Sequence, residues 1–212
     1  MEIRFLGHAC FMLDDGRYRV LTDPYLTGNP LAAAKADEVS ADFILVSHGH
    51  HDHIGDSVSI AKRCKAEICT TADLGDTFAG VKVTAGNIGG KVRMAFGTVK
   101  YFQALHGCIA CGFIIEMGGK KIYFAGDTAL MSDMALLADE GIDIALLPIG
   151  DFYTMGPEDA LRAVKMIRPK LVIPMHYDTF PPIKQDAGAF ADAVRAAGFD
   201  ATVLRPGELL TF

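Results

Sequence analysis

The sequence predicts an α/β fold, and three observations carry that reading. Short apolar runs such as Phe43-Ile44-Leu45-Val46 and Leu171-Val172-Ile173-Pro174-Met175 have the length and bounding turns of buried strands. They alternate with helix-length segments that are opened and closed by recognisable punctuation. The chain has 212 residues, of which 50% are hydrophobic and 22% charged, enough apolar material for one large core and far from the composition of a disordered chain. No linker or low-complexity tract interrupts it, so residues 1–212 are expected to form a single domain.

Taken in order, residues 2–23 read as three strands. Glu2–Leu6 alternates polar and apolar residues, and Cys10–Leu13 and Tyr18–Thr22 are joined by Asp14-Asp15-Gly16, a hairpin signal. His8 ends the first strand, a place that suits a structural histidine and an active-site one equally. Asp23 ends the third, where an Asx turn would explain it. The strand Asp42–Val46 leads into Ser47-His48-Gly49-His50-His51-Asp52-His53, and a helix over Asp56–Arg63 follows. Next come a strand at Glu67–Thr70, a short helix near Asp73–Phe78 and a glycine-bearing stretch over 81–105. That stretch holds strands at Lys91–Met94 and Thr98–Leu105, the latter ending at His106. Cys111–Glu116 and Lys120–Phe124 form a hairpin across Gly118-Gly119, and the second strand runs out into Asp127.

The remainder is regular. Ser132 is placed to cap a helix over Asp133–Glu140, with Gly141 as its stop. A strand at Ile142–Pro148 precedes a helix opened by Pro157 with Glu158 and Asp159 in its first turn, which suits the helix dipole. Leu161, Val164 and Ile167 give that helix its buried stripe. The strand Leu171–Met175 ends at His176. A last helix begins at Asp186 with Phe190 and Val194 inward, and strands over 201–204 and 208–211 close the chain.

The chemistry concentrates at His48, His50, His51, Asp52 and His53. A solvated face would not gather imidazole in this way and a hydrophobic core could not absorb it, whereas imidazole with carboxylate is the ligand set of a borderline transition metal. The cluster sits at a strand-to-helix turn, where α/β proteins place their chemistry. Its pattern is H-x-H-x-D-H. His106, Asp127 and His176 also follow apolar strands, and strand ends can converge on one rim across large sequence distances.

Other function classes are poorly served. Lys and Arg number 20 against 26 Asp and Glu, a net charge of −6 with no arginine-rich run, so nucleic acid is not an expected partner. No uninterrupted apolar stretch approaches about 20 residues, so no membrane span is expected. The N-terminal segment lacks the basic stretch and apolar core of a signal peptide, and the five cysteines are an odd number. Both point to reduced thiols in the cytoplasm. Cys108 and Cys111 form a C-x-x-C pair without a second pair to complete a zinc knuckle, and read as buried or incidental thiols rather than a redox couple.

The ordered set H-x-H-x-D-H, His106, Asp127 and His176 resembles the metallo-β-lactamase superfamily over essentially the whole chain. Gly7-His8-Ala9-Cys10-Phe11, Leu21-Thr22-Asp23-Pro24, Ala125-Gly126-Asp127-Thr128 and the run from Pro174 to Pro182 narrow the resemblance. They look like the small single-domain branch of metal-dependent hydrolases related to the L-ascorbate-6-phosphate lactonase. The resemblance implies a four-layer αββα sandwich built of two similar α/β halves. It implies two divalent metal ions, zinc foremost, with manganese, nickel or iron also accommodated. One ion would be held by His48, His50 and His106, the other by Asp52, His53 and His176, with Asp127 bridging. Asp52, Asp127 and His8 take the catalytic roles, His8 facing the substrate without binding metal. Asp23 braces the metal loop, and His51 faces solvent or makes an outer hydrogen bond.

Two dications less two carboxylates and a hydroxide leave the site at about +1, suited to a small anionic substrate or a developing oxyanion. Metal binding brings the pKa of water to about 7, so a metal-bound hydroxide would attack a lactone, ester, amide or phosphodiester. A glyoxalase-like thioesterase would need a further thiol-binding domain, and a transfer-RNA nuclease a basic arm. The remaining alternatives are a non-heme iron redox enzyme akin to persulfide dioxygenases and a non-catalytic metal-binding protein. A homo-oligomer is compatible with the sequence.

Overall fold

The computed structural model describes residues 1–212. Its first half contains β1 (Glu2–Gly7), β2 (Cys10–Asp14), β3 (Arg19–Thr22), β4 (Phe43–Leu45), α1 (His51–Ile54), α2 (Ser57–Cys64), β5 (Glu67–Thr71) and β6 (Lys82–Gly86). The second contains β7 (Lys91–Met94), β8 (Gly97–Gln103), β9 (Cys111–Met117), β10 (Lys120–Phe124), β11 (Ile144–Pro148), α3 (Pro157–Ile167), β12 (Leu171–Met175), α4 (Ala187–Ala196), β13 (Asp200–Ala201) and β14 (Leu209–Thr211). Three 3₁₀ segments lie at Ala72–Thr77, Ser132–Glu140 and Pro181–Ile183.

The strands form two seven-stranded mixed sheets, ordered β14-β1-β2-β3-β4-β5-β6 and β13-β12-β11-β10-β9-β8-β7. In the first sheet β1, β2 and β3 are an antiparallel meander and β3 to β6 run parallel. In the second, β8, β9 and β10 are the meander and β10 to β13 run parallel. β14 and β7 add an antiparallel edge beside β1 and β8. The two halves therefore share one topology, although no sequence repeat announces it.

Alternation sets the layers. Phe43 and Leu45 of β4 belong to the large core between the sheets, while Ile44 and the following Val46 pack outward against Ile60 and Ala61 of α2. Being buried on both faces is why this strand reads as a continuous apolar run. The outer face of the second sheet is covered by α3 through Ala160, Ala163, Val164 and Ile167, and by α4 through Phe190, Ala191 and Val194. The order is helix, sheet, sheet, helix, the four-layer αββα sandwich. Leu161, expected in the α3 stripe, is only partly buried; the small Ala160 and Ala163 take the inner positions and let the helix approach the sheet. No helix is long and apolar enough to cross a membrane.

Two local expectations are corrected. Residues 132–140 form a 3₁₀ segment, not an α-helix, and Ser132 does not cap it. Met131 holds the cap position without a side-chain bond, and the Ser132 hydroxyl lies 3.3 Å from Asp133 Oδ1. The buried residues Met131, Met134 and Leu137 recur every three positions, the spacing at which 3₁₀ side chains align. The segment does end at Gly141, in the left-handed region at φ +67°. The strand expected over 201–204 is only Asp200–Ala201, since Leu204 turns into the core and Pro206, without an N–H, follows.

Candidate metal centre

Every proposed ligand lies just beyond the C-terminal end of a strand, and the parallel registers bring those ends to one rim where the two sheets meet. Ser47 and Cys111 join the halves, with the Cys111 N–H donating to the Ser47 carbonyl at 3.0 Å. Gly126 permits the approach: a Cβ there would lie 2.9 Å from both the Cys111 carbonyl oxygen and Ser47 Cβ. The His176 N–H donates to the His8 carbonyl at 2.8 Å, a second stitch across the site.

One donor group comprises His48 Nε2, His50 Nδ1 and His106 Nε2, with His50 Nδ1 at 3.0 Å and 3.1 Å from the other two. Asp127 Oδ2 is 3.8 Å from His48 Nε2 and 3.7 Å from His106 Nε2. A second group comprises His53 Nε2 and His176 Nε2, each 4.0 Å from Asp52 Oδ2. Asp127 reaches this group too, with Oδ1 3.3 Å from His53 Nε2 and Oδ2 3.1 Å from His176 Nε2. Asp127 thus stands between the two clusters, which Cys108 and His8 respectively complete to four possible donors.

The hydrogen bonds fix which nitrogens carry protons. Asp23 is fully buried and accepts from the Ser47 N–H at 2.8 Å, the Ser47 hydroxyl at 2.6 Å and His53 Nδ1 at 2.6 Å. Since the Ser47 hydroxyl donates to Asp23, its oxygen accepts from His48 Nδ1 at 2.9 Å. One carboxylate therefore sets the tautomer of a ring in each group, leaving both Nε2 atoms as bare lone pairs. These lone pairs face acceptors. His53 Nε2, Asp127 Oδ1 and His176 Nε2 are buried and have no hydrogen-bond partner despite lying side by side. With Nδ1 of His53 given to Asp23, its Nε2 lone pair and the Asp127 carboxylate repel unless a cation lies between them, so the donor set fits divalent metal.

The electrostatics call for one positive charge beside Asp127: burial would lower His53, but Asp127 and Asp23 push it well above its ordinary range, a charge that a proton supplies without metal and a divalent ion supplies with it. Burial holds His48 down to about 2 and His8 down to about 3, keeping both rings neutral. Burial alone would raise the Asp127 carboxyl, but His53 and His176, acting as the donors and positive partners they are in the absence of metal, hold it well below the usual range and it stays ionised. Burial pushes Asp23 up, partly offset by His53 and Ser47. Backbone strain also gathers here. Of seven non-glycine residues with positive φ, His8, Asp23 and His176 border the centre, Asp151 and Asp178 lie in the loops that follow β11 and β12, and Lys65 and Arg168 are helix C-caps.

Above the donors is a cavity of about 370 Å³ whose walls include Asp52, Asp127, Tyr153 and Phe180. A larger depression of about 870 Å³ runs between the 26–38 loop and α2 and holds none of the donors, so the chemistry belongs to the smaller one. His8 is buried and absent from the cavity wall; its Nε2 lies 3.2 Å from Asp52 Oδ2 and its Nδ1 2.9 Å from the Thr179 hydroxyl. His51 is exposed on the rim. Sequence reasoning missed Tyr153, Phe180 and Thr179, and it set aside Cys108, whose sulfur lies among the first donor group. For Cys108 the available signal was its place two residues after His106 on the same loop. Tyr153 follows β11 as other site residues follow their strands.

Residues 2–176 match the family described as beta-lactamase superfamily domain. A protein of Symbiobacterium thermophilum named UPF0173 metal-dependent hydrolase is 53% identical over 223 residues, covering 100% of both chains. One of that name from Thermus thermophilus is 48% identical, covering 99% of this chain and 98% of the other. Among solved structures, a metallo hydrolase from the archaeon Ignicoccus hospitalis superposes with TM-score 0.93 at 35% identity, covering 100% of this chain and 97% of that one.

Proposed function

The chain belongs to the β-lactamase superfamily and within it to the UPF0173 metal-dependent hydrolases, and from that premise we propose that it hydrolyses an acyl or phosphoryl bond of a small molecule at a two-metal centre. His48, His50 and His106 would hold one divalent ion, Asp52, His53 and His176 the other, and Asp127 would face both; zinc suits this nitrogen and oxygen set best. The ions would lower the pKa of water to about 7 and polarise the bond under attack.

The rest is the work of the chain. Asp23 holds His48 and His53 in the ligand tautomer. Asp127 supplies negative charge between two groups of neutral rings. Asp52 lines the cavity, and its Oδ1, the oxygen turned away from His8, is the acceptor assigned here for the proton of the attacking water. His8 is buried behind Asp52 and acts through it as a positioning residue. Phe180 and Tyr153 supply the apolar part of the cavity wall. The five cysteines are all free, in keeping with a reducing compartment such as the cytoplasm.

The observation that carries this reading is the set of buried lone pairs facing one another around Asp127. The test is a panel of lactones, aryl esters, amides and phosphodiesters assayed with metal-stripped and zinc-reconstituted protein. The expected result is turnover of at least one class that disappears on stripping and returns with zinc. Turnover unchanged by stripping, or none from fully loaded protein, would overturn the hydrolase reading.

A further inference from the structure

Resting on that hydrolase reading, we propose that the substrate is an ester or lactone whose acyl portion is uncharged and apolar, its carbonyl oxygen directed at the donor groups and its tail lying across the Phe152–Tyr153 loop. The first support is what the cavity lacks: no lysine or arginine lines it. A site that recognises a phosphate or a second carboxylate presents fixed cationic donors, above all an arginine fork. Here positive charge would come only from metal at the floor, where the carbonyl oxygen becomes negative during attack and uses it. Nothing remains for a further anionic group. The complementarity that suggested an anionic substrate is satisfied by the reacting oxygen alone.

The second support is the rim. Phe152 and Tyr153 are 71% and 52% exposed, and Leu105 and Ile109, either side of His106 on its loop, are each 56% exposed. These are four of the seven large hydrophobic side chains exposed in the molecule, and all belong to the two loops bordering the centre. Single exposed apolar residues need no explanation, but a group at the mouth of a reactive cavity does. Tyr153 belongs to both features: it walls the cavity, and the Phe152 ring packs edge-on against it at 4.8 Å. The loop is built to hold these rings out. The Asp151 N–H donates to the Met155 carbonyl, the Met155 N–H donates to the Thr128 carbonyl, and Asp151 takes φ +65° to close the turn. An apolar tail leaving the floor would meet Tyr153 and then Phe152 on a preformed surface, with Phe180 on the cavity wall.

The reaction balances as ordinary ester hydrolysis. Water adds across the acyl C–O bond: its oxygen joins the acyl carbon and the departing oxygen takes up a proton. The acid product then ionises, releasing one proton.

The test has two arms on the full-length, zinc-loaded protein. In the first, calorimetry measures binding of straight-chain alkyl hydroxamates from two to eight carbons, alongside an eight-carbon hydroxamate ending in a carboxylate. Affinity should rise about two- to fourfold per added methylene, as expected for partial to full burial of each group, and the terminal carboxylate should abolish the gain. Phe152→Ser and Tyr153→Ala should flatten the dependence on length while metal content and melting temperature hold, because both side chains are largely in solvent. In the second arm, kcat/KM is measured for aryl esters of the same lengths and for bis(p-nitrophenyl) phosphate, with the esters expected to be preferred and to improve with length. Flat affinity, tighter binding of the carboxylate-ended compound or preference for the phosphodiester overturns the substrate class and leaves the hydrolase reading standing. Length-dependent binding without turnover of any ester, lactone, amide or phosphodiester overturns the hydrolase reading, and the substrate class with it, and leaves an apolar-ligand site. Sedimentation of the Phe152→Ser protein separates the other occupant of such a patch. Loss of a dimer with unchanged length dependence would assign the surface to a second copy of the chain and overturn the proposal.

Discussion

Asp127 and Asp23 divide the electrostatic labour of the centre, and single substitutions separate them. Asp127→Asn keeps shape and would remove one charge from between the two proposed dications, raising the site from about +1 to about +2. The second metal should bind far more weakly and turnover should fall by at least about 100-fold, while the melting temperature of metal-free protein changes little, because the surrounding strands still supply the core. Elemental analysis and thermal unfolding of the same preparation check this. Asp23→Asn acts at one remove. It loses an acceptor for His53 Nδ1 and the Ser47 hydroxyl, so both rings lose their fixed tautomer. Loss of such an outer partner costs about 10- to 100-fold in metal affinity, measurable by competition with a chelating dye, and both metals should weaken together because Asp23 serves a ring in each group. His8→Gln should keep both metals and lower kcat more than it raises KM, since His8 touches Asp52 and not the cavity.

At the scale of elements, strand ends made most of the candidate ligand set legible. A buried strand announces itself as an apolar run, and the residue just past it is where side chains converge. That reasoning, joined to the H-x-H-x-D-H motif and the family it resembles, reached His48 to His53, His106, Asp127 and His176 without any knowledge of spacing in three dimensions. It did not reach Tyr153 or Phe180, because loops carry no periodicity and their side chains are aimed by turns such as the one Asp151 closes. The Ser132–Glu140 segment was misread for a related reason. A serine before an apolar stretch is a good cap signal, but burial every third residue through Met131, Met134 and Leu137 selected the tighter helix. That segment is tied to the second sheet by charge: Glu140 meets Lys100 of β8 at 2.7 Å and Lys121 of β10 at 3.2 Å. The hydrogen bond from Lys100, aided by Lys121, holds the Glu140 carboxyl below its ordinary range. A carboxyl depressed on folding stabilises above its unfolded pKa, and that contribution is lost as pH falls through the lower folded value. Thermal stability should therefore decline below about pH 4.5, and Glu140→Gln should reduce the steepness of the decline. The pair is partly solvated, so the effect is small, and an unchanged acid limb in the variant would remove Glu140 from the account.

Across the whole molecule, two halves of one topology meet at the centre and contribute unequal residues from equivalent places. Where β1 leads to His8, β8 leads to His106, and where β3 leads to Asp23, β10 leads to Asp127. This is why the duplication could not be read as a sequence repeat: the topology is common, but His8 and Asp23 of one half stand where His106 and Asp127, of different proposed role, stand in the other. Metal should therefore also clamp the halves. Ligand binding at about 1,000 times its dissociation constant adds about 4 kcal/mol, which for a chain of this size corresponds to roughly 8–16 °C. Zinc-loaded protein should melt higher than stripped protein by that order, and Asp127→Asn should lose a large part of the difference. The most direct test of the central claim is the metal content of the purified, reconstituted protein, measured by elemental analysis against protein concentration and by native mass spectrometry. Two divalent ions per chain is the predicted result; a chain that saturates at one ion, or binds none, would contradict the two-metal centre on which the function rests.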